Sequence, residues 1–408
     1  MAVVLGLFIW GATQFFHLGA SVPAASTNLT ADLSAGAWAQ GRRTAQNTAF
    51  TPNPAPIPRS VKWTCATNKP LGSSPAIVGD RVYLTTGDGR TVALERDSGQ
   101  LVWEVRTGLV SSSTPVVAGD MVIAAYTPGL IVALDRNTGL TRWEVDLNLP
   151  ISASPIVANG TLYFGAGDRM LHALDVATGA ERWAFLTTDW IVSPVAYADG
   201  TVAVASQDNH VYIVDAKSGQ LRLMYNTGFQ RFGGGPTIEG DTVYISSDRG
   251  WITAIDRLAK TYPGQRKWFR VKINLYVWQV MSALPVQPGT LWSRRVGGQI
   301  KGLLAVAHDT VYGATESGQV FARDTGNGEK KWSTKLEVEI STGPSVAGNT
   351  VLVGTEEGRV FGLDAANGDV LWQFRAGNGE IVESPVVAGD TMYVASADGT
   401  LYAITAGN

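Results

Sequence analysis

Short apolar runs alternate with turn-forming pairs along almost the whole chain. Between Pro115 and Trp143 the sequence reads PVVAGDMVIAAYTPGLIVALDRNTGLTRW, and between Pro344 and Trp372 it reads PSVAGNTVLVGTEEGRVFGLDAANGDVLW. The apolar runs are rich in Val, Ala and Tyr and too short to be helices, which makes them strands. Between them, Gly-Asp, Glu-Gly, Thr-Gly and Asn-Gly pairs supply the positive φ that tight hairpins require. Each such interval therefore predicts four strands joined by three tight turns.

The interval recurs. Trp63, Trp103, Trp143 and Trp183, then Leu223 in the same phase, then Trp292, Trp332 and Trp372 mark a repeat of about forty residues, the length of a propeller blade. Units open at Pro75, Pro115, Pro155, Pro194, Pro236, Leu304, Pro344 and Pro385. The last ends near Ile404 without its tryptophan strand, and Arg59 to Thr64 (RSVKWT) has the sequence and phase of the missing piece. An open ring would leave two unpaired edges, so this segment is expected to cross the seam. The predicted fold is all-β: an eight-bladed β-propeller of four-stranded antiparallel blades over 59–408, closed by an N-terminal strand.

Three stretches break the repeat. Residues 257–289 place about twenty-eight extra residues in the connection between the third and fourth strands of the fifth blade, and repeat insertions fall on one face. Residues 21–58, rich in Pro, Ala and Thr, are expected to form an extended linker. Residues 1–20 are apolar and nearly uncharged, as in a signal peptide or an N-terminal membrane anchor. Val22-Pro23-Ala24 offers a cleavage site, and no Cys for lipid attachment lies at its end. An extracytoplasmic, membrane-associated location in periplasm or at the cell surface is expected.

Composition narrows the chemistry. The net charge is −3 with both signs scattered, which removes nucleic acid from the expected partners. Cys65 is the single cysteine, so neither an internal disulfide nor a thiolate metal cluster can form, and a buried inert thiol is expected there.

The texts ALDRNTGLTRW, ALDVATGAERW and GLDAANGDVLW resemble the tryptophan-docking signature of the quinoprotein-type, PQQ-like repeat propeller family. The resemblance covers about 59–408, and WAQGRRTAQNTAFTPN, Trp38 to Asn53, is similar to the lead-in many members carry. It implies a structural belt of Trp63, Trp103, Trp143, Trp183, Trp292, Trp332 and Trp372. It also implies two branches: dehydrogenases that hold pyrroloquinoline quinone and Ca²⁺, and cofactor-free propellers of the outer-membrane assembly lipoprotein type. The redox branch carries adjacent cysteines, which are lacking here. The cofactor-free branch is therefore expected, with no cofactor.

No catalytic or metal-ligating set emerges from the residues. Asp88, Asp168, Asp208, Asp248 and Asp398 sit in turns, and Asp135, Asp175, Asp215 and Asp364 end third strands, where carboxylates bond backbone amides. His17, His172, His210 and His308 lack a second ligand at metal spacing. Two regions suit partner binding. On the face formed by fourth-to-first loops and second-to-third turns, Trp190, Arg231, Phe232, Lys301 and Glu383 stand among small residues such as Ser112, Ser152 and Gly233. In the insertion, Arg266, Lys267, Arg270 and Lys272 mix with Trp268, Phe269 and Leu275. Tyr276, Trp278 and Met281 complete that group, which suits a protein interface or an anionic membrane surface unless it packs on the ring. The expectation is a non-catalytic scaffold for envelope or membrane proteins, an accessory subunit of a membrane complex. A quinone-dependent dehydrogenase and a carbohydrate- or small-ligand-binding propeller are the alternatives.

Overall fold

Eight antiparallel sheets of the same four-stranded plan follow one another around a ring. The computed structural model describes residues 29–407 apart from 32, 33, 35, 68, 112, 152, 229, 230, 233 and 284. Blade 1 is typical: Ala76–Val78, Arg81–Thr85, Arg90–Glu95 and Leu101–Arg106 pair in order from the channel outward. The inner three strands are buried almost throughout, and the outer one alternates because only one of its faces meets a neighbour. The ring closes as the sequence implies. Ser60–Ala66 pairs antiparallel with Thr400–Thr405, Ser60 opposite Thr405 and Ala66 opposite Thr400, and becomes the fourth strand of blade 8.

Six tryptophans fasten one blade to the next by a repeated device. The Nε1–H of Trp63, Trp103, Trp143, Trp183, Trp292 and Trp332 donates to the carbonyl of Arg96, Arg136, Val176, Ala216, Thr325 and Ala365 respectively, at 2.8–3.0 Å. Each ring lies flat against a turn glycine of the following blade, as Trp332 does on Gly368, where any side chain would collide with the indole. Tyr83, Tyr163, Tyr244 and Tyr312 donate to the same carbonyls as their tryptophans, so both lone pairs of those oxygens are used. Leu223 holds the tryptophan position of blade 4 and packs toward Gly289. Trp372 is half-buried over Gly362 of its own blade.

The largest departure from the sequence reading is at the centre. Residues 38–49 of the expected linker lie inside the ring as a plug. Backbone oxygens of Trp38, Ala39, Ala45, Gln46, Thr48 and Ala49 accept the N–H of Ile77, Val117, Tyr197, Ile238, Val306 and Val346, one residue from each of six innermost strands. The Gln40 side chain accepts that of Val157. Residues 38–49 thus wind once around the channel and cap seven of eight inner edges in blade order. Phe50–Thr51 then runs parallel to Ser345–Ala347 as a fifth strand on blade 7. The chain leaves the channel on the face of the first-to-second turns, where Gly348 donates to Thr51, and rises into the seam strand. An inner strand left bare would carry unpaired amides, and the plug removes that edge. Residues 1–20 lie outside the described residues.

Candidate functional site

Arg42 and Asn47 are the two polar side chains that lock the plug. Arg42 is buried and donates to Leu304 O at 2.9 Å, Pro344 O at 3.0 Å and Ser384 Oγ at 2.7 Å, tying blades 6, 7 and 8 together. Asn47 donates to Val195 O at 2.8 Å and Pro236 O at 3.0 Å in blades 4 and 5. Burial pushes the Arg42 guanidinium down to about 10, although the Glu383 charge raises it, so Arg42 stays charged at neutral pH. Glu383 lines the channel near Arg42 with its surface exposed. Burial holds its carboxyl above the usual range, with Arg42 pulling the other way. Neither Arg42 nor Asn47 is among the sequence candidates. No local pattern marks either one, because their acceptors lie in distant blades.

The plug decides whether a quinone and Ca²⁺ fit. A flat cofactor needs the channel axis, where Gly41, Arg42 and Asn47 now stand, and about 30 Å³ of space remains among them. A hard cation needs six to eight oxygens. Here one carboxylate, Glu383, faces a guanidinium, and the Asn47 amide nitrogen already bonds two carbonyls. The residues present do not fit the pair.

Above the plug the channel opens into a cavity of about 430 Å³ between blades 4, 5 and 6. Arg231 and Phe232 line it together with Asp189, Val192, Asn209 and Leu303. Phe232 is half-buried and bridges to Ser247, which holds the exposed Arg231 at the rim. Trp190 is 53 % exposed beside this cavity without lining it. Lys301 is paired with Glu316 at 3.0 Å. The five mouth candidates are thus split: two line one cavity, one flanks it, one is ion-paired and one lies deeper against Arg42. Glu339, Glu356 and Glu380 lie near one another on blades 6 to 8. A hydrogen bond between the Glu339 and Glu356 carboxyls, with burial and like charge adding to it, raises the Glu356 carboxyl above its ordinary value. Ser112, Ser152 and Gly233 lie outside the described residues.

The insertion leaves blade 5 on the far face and folds back along the outer wall of blade 4. Thr261 donates to Arg222 O at 2.7 Å and its hydroxyl accepts from Met224 N at 2.9 Å, covering part of an otherwise open outer edge. The helix Gln265–Val277 follows. Phe269 and Ile273 are half-buried and, with Leu223 and Met224, line a cleft of about 530 Å³ between helix and wall. Trp268 and Trp278 point away, 61 % and 70 % exposed. Lys267, Arg270 and Tyr276 are exposed; Lys272, Leu275 and Met281 are half-buried. The Arg266 side chain lies outside the described residues. Packing on the ring and display to solvent therefore coexist on one helix. No helix among the described residues is long and apolar enough to cross a membrane.

The turn acids are structural. Asp135, Asp175, Asp215 and Asp364 each accept the backbone N–H groups two and three residues on. His172 is held between Asp168 at 3.0 Å and Glu181 at 3.2 Å, and His308 meets Gly348 O at 3.0 Å. His17 lies outside the described residues. Cys65 is half-buried, less than the sequence suggests, because it lies on an outer strand; burial nonetheless pushes its thiol up, against the opposing charge of Arg90.

Comparison with known proteins agrees with this geometry. The structure of BamB from Moraxella catarrhalis is similar at 19 % identity and a TM-score of 0.67, covering 85 % of this chain and 97 % of that one. Quinohemoprotein alcohol dehydrogenase from Comamonas testosteroni is similar at 13 % identity and a TM-score of 0.68, covering 93 % and 81 %. A europium-containing methanol dehydrogenase is similar at 14 % and 0.68, covering 91 % and 98 %. At such identities these structures establish the fold alone. No curated protein matches significantly. The family model for outer membrane protein assembly factor BamB matches residues 58–148, 110–334 and 324–408, nearly the whole ring, and the chain therefore belongs to that family.

Proposed function

We propose that this chain is a non-catalytic extracytoplasmic scaffold, an accessory subunit of an envelope or membrane complex, which holds a protein partner at the mouth of its channel. The plug carries this reading: with Arg42 and Asn47 on the axis, the position a redox cofactor takes in the dehydrogenase branch is filled by the chain itself. What remains concave is the mouth cavity, polar at Asp189 and Asn209, apolar at Val192 and Phe232, and rimmed by Arg231. A rigid ring with such a surface suits protein recognition, and function resides in the site and not in the fold. Membership of the family supports assembly of outer-membrane proteins as the concrete setting.

The test is site-specific photo-cross-linking from position 190 in native membranes, with the product identified by mass spectrometry. A single dominant protein partner is expected, lost in the double variant Arg231→Glu, Phe232→Ala. Dehydrogenase activity on addition of pyrroloquinoline quinone and Ca²⁺ would overturn the reading, as would a carbohydrate as the bound species.

A further inference from the structure

The insertion helix presents a second apolar stripe that the ring does not use. Trp268, Val271, Leu275 and Trp278 recur at i, i+3, i+7 and i+10, one helical face roughly 15 Å long. Phe269 and Ile273, which line the cleft toward blade 4, lie on the other side. Most of the outer stripe is open: Trp268, Val271 and Trp278 are 61 %, 42 % and 70 % exposed, and Leu275 is half-buried. An apolar patch of this kind on a soluble surface marks a docking site.

Charge identifies what docks. Residues 257–289 contain six Lys and Arg and no Asp or Glu, while the rest of the chain carries nine more acids than bases. Arg257 is committed to Asp199 and Asp241. Among the described residues no ion pair engages Lys260, Lys267, Arg270 or Lys272. On the helical wheel Lys267 and Lys272 flank the stripe on its two sides, where long basic side chains can lay their stems along the apolar band and lift their charges. Tryptophan at both ends of a short apolar face, bordered by lysines, matches the boundary between acyl chains and headgroups. A protein groove would supply acids to meet these cations one by one; a sheet of anionic headgroups meets them without any register. The chain beyond Leu29 adds to this. Leu29 accepts from Gly160 in a first-to-second turn, on the same face as the roots of the insertion, and the residues before it include the apolar stretch 1–20. Leu29 and the roots of the insertion thus lie on one side of the ring.

We infer that the helix Gln265–Val277 with Trp278 is an interfacial element that lies flat on an anionic lipid bilayer and sets how the ring is presented to it. The measurement uses the full chain with Cys65→Ser and Val271→Cys, labelled at position 271 with a polarity-sensitive fluorophore. Residues 1–20 can bring the chain to a vesicle, but only insertion of the helix moves this label into an apolar environment. On vesicles of phosphatidylcholine with about a third phosphatidylglycerol the label should shift to the blue. The apparent partition should exceed that on phosphatidylcholine alone about tenfold and fall back in about 0.5 M salt. Lys267→Glu with Lys272→Glu should abolish the anionic preference. Trp268→Ser with Trp278→Ser should abolish the blue shift, with both pairs keeping the parent melting temperature. A label that stays aqueous on both vesicles, shifts equally on neutral ones, or shifts only when a protein partner is added would overturn the inference.

Discussion

At the scale of single residues, one side chain does a repeated job where blades meet. Each docking tryptophan is visible because the indole, the turn glycine thirty-six residues later and the carbonyl it reaches recur at fixed spacing, as with Trp332, Gly368 and Ala365. Trp332→Ala should cost about 3 to 5 kcal/mol, because it empties an interblade space and leaves the Ala365 carbonyl with Tyr312 alone. Trp332→Phe should cost less, since the ring volume survives and mainly the Nε1–H bond is lost. Chemical denaturation of the two variants separates packing from hydrogen bonding. Asp208 is a second residue whose worth can be tested. Burial pushes its carboxyl up, but hydrogen bonds from His210, Thr188 and Tyr212, the last at 2.5 Å, outweigh burial and hold it well below 3.8. A depressed carboxyl adds stability that is fully present above its unfolded value and lost as pH falls through the folded one. Asp208→Asn should therefore lower stability by about 1 to 2 kcal/mol at neutral pH and flatten the decline below about pH 4, read from melts across pH. Arg42 was not readable in this way, because nothing in its neighbours announces that three distant blades will offer it oxygens.

Among elements, the strands and turns were legible and the two non-repeating segments were not. Hairpin spacing fixes a blade locally, whereas the destination of 38–49 depends on a channel that exists only after all the blades have assembled. The Pro-rich PNPAPIP run suggested extension, which is silent about where the chain lies. For the insertion, composition gave the basic and aromatic character, and the fold supplied the division into a face toward blade 4 and a face toward solvent. Deleting Lys260 to Gln287 should leave the ring intact, because seven other blades join their third and fourth strands without such a segment or across the seam. The loss is limited to the edge bonds at Arg222 and Met224, whose groups then meet water at about 1 kcal/mol or less each, and to the half-buried contacts of Phe269 and Ile273 along blade 4. A melting temperature within a few degrees of the parent is expected. Collapse of the fold would show that the insertion is a structural part of blade 4.

For the whole molecule, stability rests on two closures that the sequence joins in one N-terminal stretch, and they can be separated by truncation. The seam strand Ser60–Ala66 completes blade 8 and brings Trp63 onto Gly99 and the Arg96 carbonyl of blade 1, so it links the first and last sheets directly. The plug closes the inner edges instead, giving acceptors to seven first strands and, through Arg42, crossing to the Ser384 hydroxyl of blade 8. A chain starting at 58 keeps the seam and loses the plug. Its inner amides then face a channel that water can enter, so each lost bond costs only its net value, about 0.5 to 1.5 kcal/mol. That chain should still fold into a ring with a single cooperative transition, at a melting temperature lower by several degrees. A chain starting at 67 loses both closures, exposes the outer edge of Thr400–Thr405 and the first blade's docking turn, and leaves two sheets free to pair with other molecules. It should elute as aggregates and melt without cooperativity, as followed by scattering and circular dichroism. If the shorter chain were as stable and monomeric as the longer one, neither sheet pairing at the seam nor tryptophan docking across it would be what holds the circle shut.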